Sequence, residues 1–395
     1  MSDKSLDSAA VRAWAETVGI DPLDASSTGI AHLDNCIERS RVVVLGEPNH
    51  FIHEKVEFRL WWLERLARRY PLVLAEELGW ADGRRIARYL NHGDERDIAG
   101  AATFGYLGWR RSDRDDTPTG VFAPAKSAYP TDAMRWEHTR LYRAVRALGV
   151  RDFYGFDIDL AGGVAYEILH DAEAPDLARR PGESLPQELE RLTKSLSEPG
   201  QSTRSGAIEQ DLLALRESLA YTALVKDAAD YNATRPAMAA REEAMRRRVT
   251  HIISAAPSDA KVVLMAHAFH LAKDDAKIDS AGGVGPGGDR VSSLGHYLNN
   301  ELRVPMTAAW MLYSEGRDCQ PLNDLPRKAA YPATTFNRQV ASPSRRILPL
   351  QNAPFAEVTV GHMYNATSSV HLAEQADAVD VFSSVSSLRT STATV

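Results

Sequence analysis

The sequence predicts an α/β fold: a mostly parallel central sheet flanked by helices, with an inserted helical lid subdomain. Two observations carry this. Short apolar, β-branched runs recur along the chain with helical patterns between them, and two long polar stretches interrupt the alternation. The runs are Val42 to Gly46 (VVVLG), Leu72 to Ala75 (LVLA), Phe153 to Phe156 (FYGF), Val262 to Ala266 (VVLMA), Pro305 to Leu312 (PMTAAWML), Glu357 to Gly361 (EVTVG) and Val379 to Phe382 (VDVF). Unbroken apolar runs of this length fit strands covered on both faces. After the first run, Val56, Leu60, Leu63, Leu66 and Tyr70 recur every three or four residues and predict one buried helix face. Strands alternating with helices imply parallel pairing.

The interrupting stretches are residues 82–149 and 172–258, polar and helical by pattern, the second with a Pro/Gly/Ser break at Pro199 to Gly206. They are assigned to the lid, and residues 1–81, 150–171 and 259–395 to the core. The segment SAGGVGPGGDR (Ser280 to Arg290) reads as a mobile loop near a site. It lacks the lysine and hydroxyl residue of a phosphate-binding P-loop. The end, SLRTSTATV, reads as a loose tail.

Composition narrows the functional classes. Of 395 residues, 44% are hydrophobic and 25% charged, ordinary for a folded chain with a large core. The net charge is −7 with the signs interspersed, which argues against nucleic acid as a partner. Two cysteines, Cys36 and Cys319, cannot build a disulfide framework or a cysteine zinc site. No apolar run approaches a spanning helix, and MSDKSLDSAAVRAW lacks the apolar core of a signal peptide. The expectation is a cytoplasmic protein with no membrane partner.

Ligands of open parallel sheets bind beyond the carboxyl ends of the strands. There the chain places Glu47, Asn49, His50, His53 and Glu54 after the first run and Glu76 and Glu77 after the second. Asp157 and Asp159 follow the third, and His267 and His270 the fourth. Four strands delivering acids or histidines to one edge predict a proton-transfer site, because histidine titrates near neutrality and a carboxylate orients it. No GxSxG elbow is present, so a serine nucleophile is not expected. His50, His53, Glu54, His267 and His270 include zinc-ligand types. The HAFH segment leaves a strand, however, and does not set both rings on one helix turn, so no metal and no cofactor is predicted. His53 and Glu54 are expected to face solvent on a first helical turn, where Glu54 suits the helix dipole. Arg241, in MAAREEAMRRRVTHII, reads by itself as part of a solvated, salt-bridged face.

GEPNHFIHEK (Gly46 to Lys55) resembles the GEATHGTxEF signature of the erythromycin esterase family, which also includes succinoglycan-biosynthesis-like hydrolases. LAEELGWADG (Leu74 to Gly83), YGFDIDLAGG (Tyr154 to Gly163), AREEAMRRRV (Ala240 to Val249), VVLMAHAFHLAK (Val262 to Lys273) and SSLGHYL (Ser292 to Leu298) resemble further family segments. So do VGHMYN (Val360 to Asn365) and QADAVDVFSSVSSLR (Gln375 to Arg389), all in family order. The resemblance implies an α/β core with a helical lid and metal-independent hydrolysis of a macrolactone ester. It implies His50 as general base with Glu47 in the same signature. Glu77 matches the second-strand carboxylate, since Trp80 and Asp82 follow at the family's spacing, with neighbouring Glu76 the alternative. His267 and His270 match the histidine pair and Arg241 the arginine of the RDxxM helix. Asn49, Glu76, Asp157 and Trp80 are expected to line the substrate. The chain departs from the pattern at Asn49, where the family has Thr, at Ala268 and Phe269 between the histidines, and at Glu242 after the arginine.

The leading expectation is a hydrolase cleaving an ester or macrolactone of a bulky, macrolide-like natural product. His50 would activate water, held by Glu47 or Glu77, and His270, His267 and Arg241 would stabilise the oxyanion or protonate the leaving alcohol. The alternatives are a biosynthetic lyase, cyclase or acyl-transfer enzyme on the same scaffold, and a small-molecule-binding protein with altered catalytic residues.

Overall fold

The computed structural model describes residues 8–24, 28–98, 131–158, 206–226, 235–280, 291–319, 326–362 and 365–388, with residues 187, 190, 191 and 194. The glycine-rich loop beyond Ser280, Asp159, the Pro199 break, parts of the two predicted insertions (among them residues 99–130 and 172–186) and residues 389–395 of the C-terminal tail lie outside the described residues. The chain is a mixed α/β fold whose central sheet is mostly parallel and flanked by helices. It divides into two compact units. The first comprises Met1–Leu74, Ser127–Val150 and Ala255–Val395, the second Ala75–Lys126 and Arg151–Ser254. The division falls inside the second strand, β2 (Leu72–Gly79), so this strand begins in one unit and ends in the other.

In the first unit, β1 (Val42–Glu47) lies between two parallel neighbours. One is β4 (Lys261–His267), with Val42 opposite Val262 and Glu47 opposite His267. The other is β6 (Met306–Cys319), with Gly46 opposite Trp310. Every residue of β1 and β4 is buried, as unbroken apolar runs require. β11 (Ala378–Val385) continues the sheet parallel to β6. The sheet departs from the parallel expectation at its margin. β8 (Arg346–Pro349) is antiparallel to β11, and β7 (Pro326–Ala330) is antiparallel to the polar end of β6. The EVTVG run is not a sheet neighbour of β1 at all. As β9 (Val358–His362) it forms a separate antiparallel sheet with β10 (Ala366–Val370) and β5 (Ile278–Ser280). The reason is legible in its burial: Val358 and Val360 are buried and Thr359 is exposed, the alternation of a strand with one wet face.

Helix α1 (Ser8–Val18) and helix α2 (Thr28–Arg39) precede β1, and α3 (Glu54–Ala67) follows it. Its buried stripe is Lys55, Val56, Phe58, Arg59, Trp62, Leu63 and Leu66. Leu60 and Tyr70, expected on that face, are only half-buried. The stripe is turned because two cations, Lys55 and Arg59, are drawn inward by a buried carboxylate.

In the second unit, α4 (Trp80–His92) follows β2 without a loop and packs on β3 (Asp152–Asp157). That approach needs glycine. A Cβ on Gly83 would lie 1.9 Å from Gly155 N, and one on Gly155 would lie 1.9 Å from Gly79 O. Gly93, at φ 81°, ends α4 in the left-handed conformation. Two longer helices, α6 (Gly206–Lys226) and α7 (Arg235–Ala255), complete the described part, with α5 (Thr131–Ala147) assigned to the first unit. Among the described residues, no helix is long and apolar enough to cross a membrane.

Candidate active site

The carboxyl end of β1 turns sharply into α3, and the turn carries the reactive groups. Glu47, the last strand residue, is fully buried. It accepts from His50 Nδ1 at 2.8 Å and ion-pairs with Arg59 at 2.7 Å, with Lys55 Nζ 3.8 Å away. Burial alone would push its carboxyl up, but Arg59, Lys55 and the His50 contact more than reverse this and hold it at about 2. Glu47 is therefore ionised across the working pH range. An ionised carboxylate accepts only, so the imidazole presents Nδ1–H to it. The His50 side chain is 12% exposed and reachable by a small reactant.

β4 delivers the second half. His267 lies opposite Glu47 in the strand register, and its ring centroid is 5.7 Å from that of His50. Its Nδ1 accepts from Phe269 N at 3.3 Å, which assigns the proton to Nε2 and makes that nitrogen a donor. HAFH runs through a turn, with His270 N donating to His267 O, and the His270 ring lies 6.4 Å from that of His267. Phe269 packs on His267 at 5.3 Å, on Trp310 at 6.4 Å and on His362 at 4.8 Å. Burial pushes His362 down to about 4, so it is neutral near pH 7. His362 had no chemical reading in the sequence, where it was one letter of VGHMYN.

Three side chains around the turn are placed differently from expectation. His53 does not face solvent. It is buried, with Nδ1 2.5 Å from Glu137 of α5 and Nε2 3.1 Å from Glu57. Burial works against its charge, but the two carboxylates prevail and raise it to about 9. Glu54 is likewise turned inward, accepting from Ser386 N at 2.8 Å and Ser386 Oγ at 2.7 Å. Both replace water with partners far along the chain, which a first-turn position does not announce. Asn49 is 1% exposed, and both ends of its amide are engaged within the protein. Lys55 and Arg59 were missed. Their positions on the α3 face that buries Val56 and Leu63 were the available signal. Among the described residues no group of three or more His, Cys, Asp and Glu side chains is placed to hold a metal ion.

The second unit holds another buried polar cluster. Glu76 and Glu77 lie inside β2 rather than after it, and both are buried. Glu77 accepts from Arg241 at 2.6 Å, and Asp157 takes the same guanidinium in a fork at 2.7 and 2.6 Å. Burial disfavours the Arg241 charge, but Asp157 and Glu77 raise its pKa well above the ordinary arginine value. Arg248 bonds Glu217 and the Asp157 carbonyl, and Trp80 Nε1 donates to Asp211 at 3.0 Å. The helix read by itself as solvated thus turns Arg241 and Arg248 inward. Asp211 and Glu217 had no reading in the sequence.

Fold and site together define a class: an α/β chain carrying a carboxylate-held histidine, with a second histidine pair, at the carboxyl edge of adjacent parallel strands. No family model and no curated protein matches the sequence. Solved structures do. A succinoglycan biosynthesis protein aligns with TM-score 0.65 and 14% identity over 98% of this chain and 99% of its own. A Bacillus cereus protein aligns at 0.64 and 14%, over 97% and 98%. A mutant of the erythromycin esterase EreC in its open conformation aligns at 0.60 and 16%, over 95% and 97%. Chains this different in sequence and this alike in trace share a fold.

Proposed function

We propose that the protein is a hydrolase that cleaves an ester or macrolactone of a bulky natural product with water activated by His50. The observation that carries the reading is the Glu47–His50 bond at 2.8 Å, with Glu47 ionised by Arg59 and Lys55. The fold likeness to an erythromycin esterase supports it. In this mechanism His50 Nε2 takes a proton from water as the water oxygen attacks the acyl carbon. Glu47, accepting from Nδ1–H, stabilises the imidazolium as the carboxylate of a catalytic triad does. His267 Nε2–H donates to the oxyanion. Collapse of the tetrahedral intermediate breaks the bond to the alcohol oxygen, which takes a proton from His50 or His270.

The test is incubation of the full chain with erythromycin and simpler lactones and esters, followed by product mass. Gain of one water supports hydrolysis. Loss of one water points to a lyase, and unchanged mass with measurable binding points to a binding protein. Either of the last two overturns the proposal.

A further inference from the structure

The Asn49 amide is held at both ends. Nδ2 donates to Asp318 Oδ2 at 2.8 Å, and Oδ1 accepts from Phe51 N at 2.9 Å. A carboxylate on one side and an N–H on the other fix which way the amide points. Both partners are 1% exposed, so this is a buried hydrogen bond to an ionisable acceptor, the strong kind. Asp318 belongs to the far end of β6, the strand whose Trp310 lies opposite Gly46 of β1. The bond therefore ties the turn after β1 to the strand beside it.

The turn has a second anchor further along. Ile52 bridges Ser387, His53 N donates to Ser386 O, and Glu54 takes Ser386. His50 lies between the two anchors. Its ring must fold back three residues to reach Glu47, which fixes the backbone across residues 48 and 49. Asn49 enforces this path through its own turn onto Phe51 N and through Asp318.

We infer that Asn49 and Asp318 form a positioning pair that holds the His50 ring on Glu47, so Asn49 acts through His50 rather than on substrate. This rests on His50 being the base, so the experiment includes a readout that needs no reaction. The full chain and three variants are compared: Asn49→Asp, Asn49→Ala, and the exchange Asn49→Asp with Asp318→Asn. Nitrogen-15 NMR of the His50 ring reports the tautomer, circular dichroism reports folding, and kcat and KM are measured on any ester the wild type hydrolyses.

Wild type shows one fixed Nδ1–H tautomer. Asn49→Asp sets two carboxylates against each other and gives a mixed tautomer with kcat down about 10²-fold at similar KM, the effect of a base misplaced by about an ångström. Asn49→Ala gives the same change without added charge, and so decides the matter if Asn49→Asp does not fold. The exchange swaps donor and acceptor and restores both the tautomer and kcat. A fixed Nδ1–H tautomer in Asn49→Ala overturns the inference, as does a folded exchange variant no better than Asn49→Asp. If no ester is turned over, the hydrolase reading fails while the ring signature still decides this one.

Discussion

Two buried clusters of the same residue types sit in the two units and are wired in opposite senses. Around Glu47, one carboxylate is held by two cations and a histidine. Around Arg241, one cation is held by two carboxylates. The first orients an imidazole through its Nδ1–H. The second fixes an arginine that cannot be deprotonated in a protein and whose bonds orient it. An acid at a strand end is thus not a role in itself. What it faces decides whether it tunes a base or locks a cation.

The largest effect expected is from Glu47→Gln. It keeps the shape but removes the charge that fixes the His50 tautomer and opposes Arg59. Turnover falls by about 10⁴, as when a triad acid is neutralised. Loss of one partner of a buried ion pair costs about 3–5 kcal/mol of stability. An equilibrium denaturation curve and a turnover assay check both. A stable, active Glu47→Gln protein breaks the contrast between the clusters.

His50→Ala comes next. Turnover falls by about 10²–10⁴, the worth of a positioned general base, while circular dichroism is unchanged. More than a tenth of wild-type activity would remove His50 from the role.

Glu77→Gln sharpens the comparison from the other side. Asp157 still makes its two bonds to Arg241, so one weakened bond costs about 1–3 kcal/mol and turnover falls about tenfold or less. Glu76→Gln tests the neighbouring register position, and it should act mainly on stability. A fall with Glu77→Gln as deep as that with Glu47→Gln would make the Arg241 cluster part of the reacting centre.

Stability should follow pH through His53. Its folded pKa, about 9, exceeds the ordinary 6.5, so the charged pair with Glu137 contributes fully below pH 6.5. That contribution is lost as pH rises through 9. Glu47, held at about 2, has the opposite sign: its contribution is present above 4.5 and lost as pH falls through 2. Thermal denaturation across pH checks this, with Tm falling between about pH 7 and 10 in wild type and flat there in His53→Gln.

The smallest effect expected is none. Prolonged chelation leaves hydrolysis unchanged, because base and water suffice. Activity lost to a chelator and restored by zinc or manganese would make His50, His267 and His270 ligands instead.

The sequence by itself determined the mostly parallel core and the strand ends that carry its acids and histidines. Removing β1, β2 and β4 from water needs unbroken apolar runs, and such runs are visible without knowing their neighbours. It left the partner of His50 open between Glu47 and Glu77, and the bond at 2.8 Å to Glu47 is a finding of the structure. What it misread shows where that logic stops. Lys55 and Arg59 had no reading in it, Arg241 read by itself as part of a solvated face, and EVTVG looked like a core strand although Glu357 and Thr359 are exposed. Only the tertiary structure decided the long-range polar pairs. Asn49 meets Asp318 across 269 residues, His53 meets Glu137 across 84, and Arg241 meets Glu77 across 164. Periodicity reports which residues lose water, because that depends on local geometry. Which buried charge meets which counter-charge depends on strand order and register, and those are fixed by the packing of the whole fold.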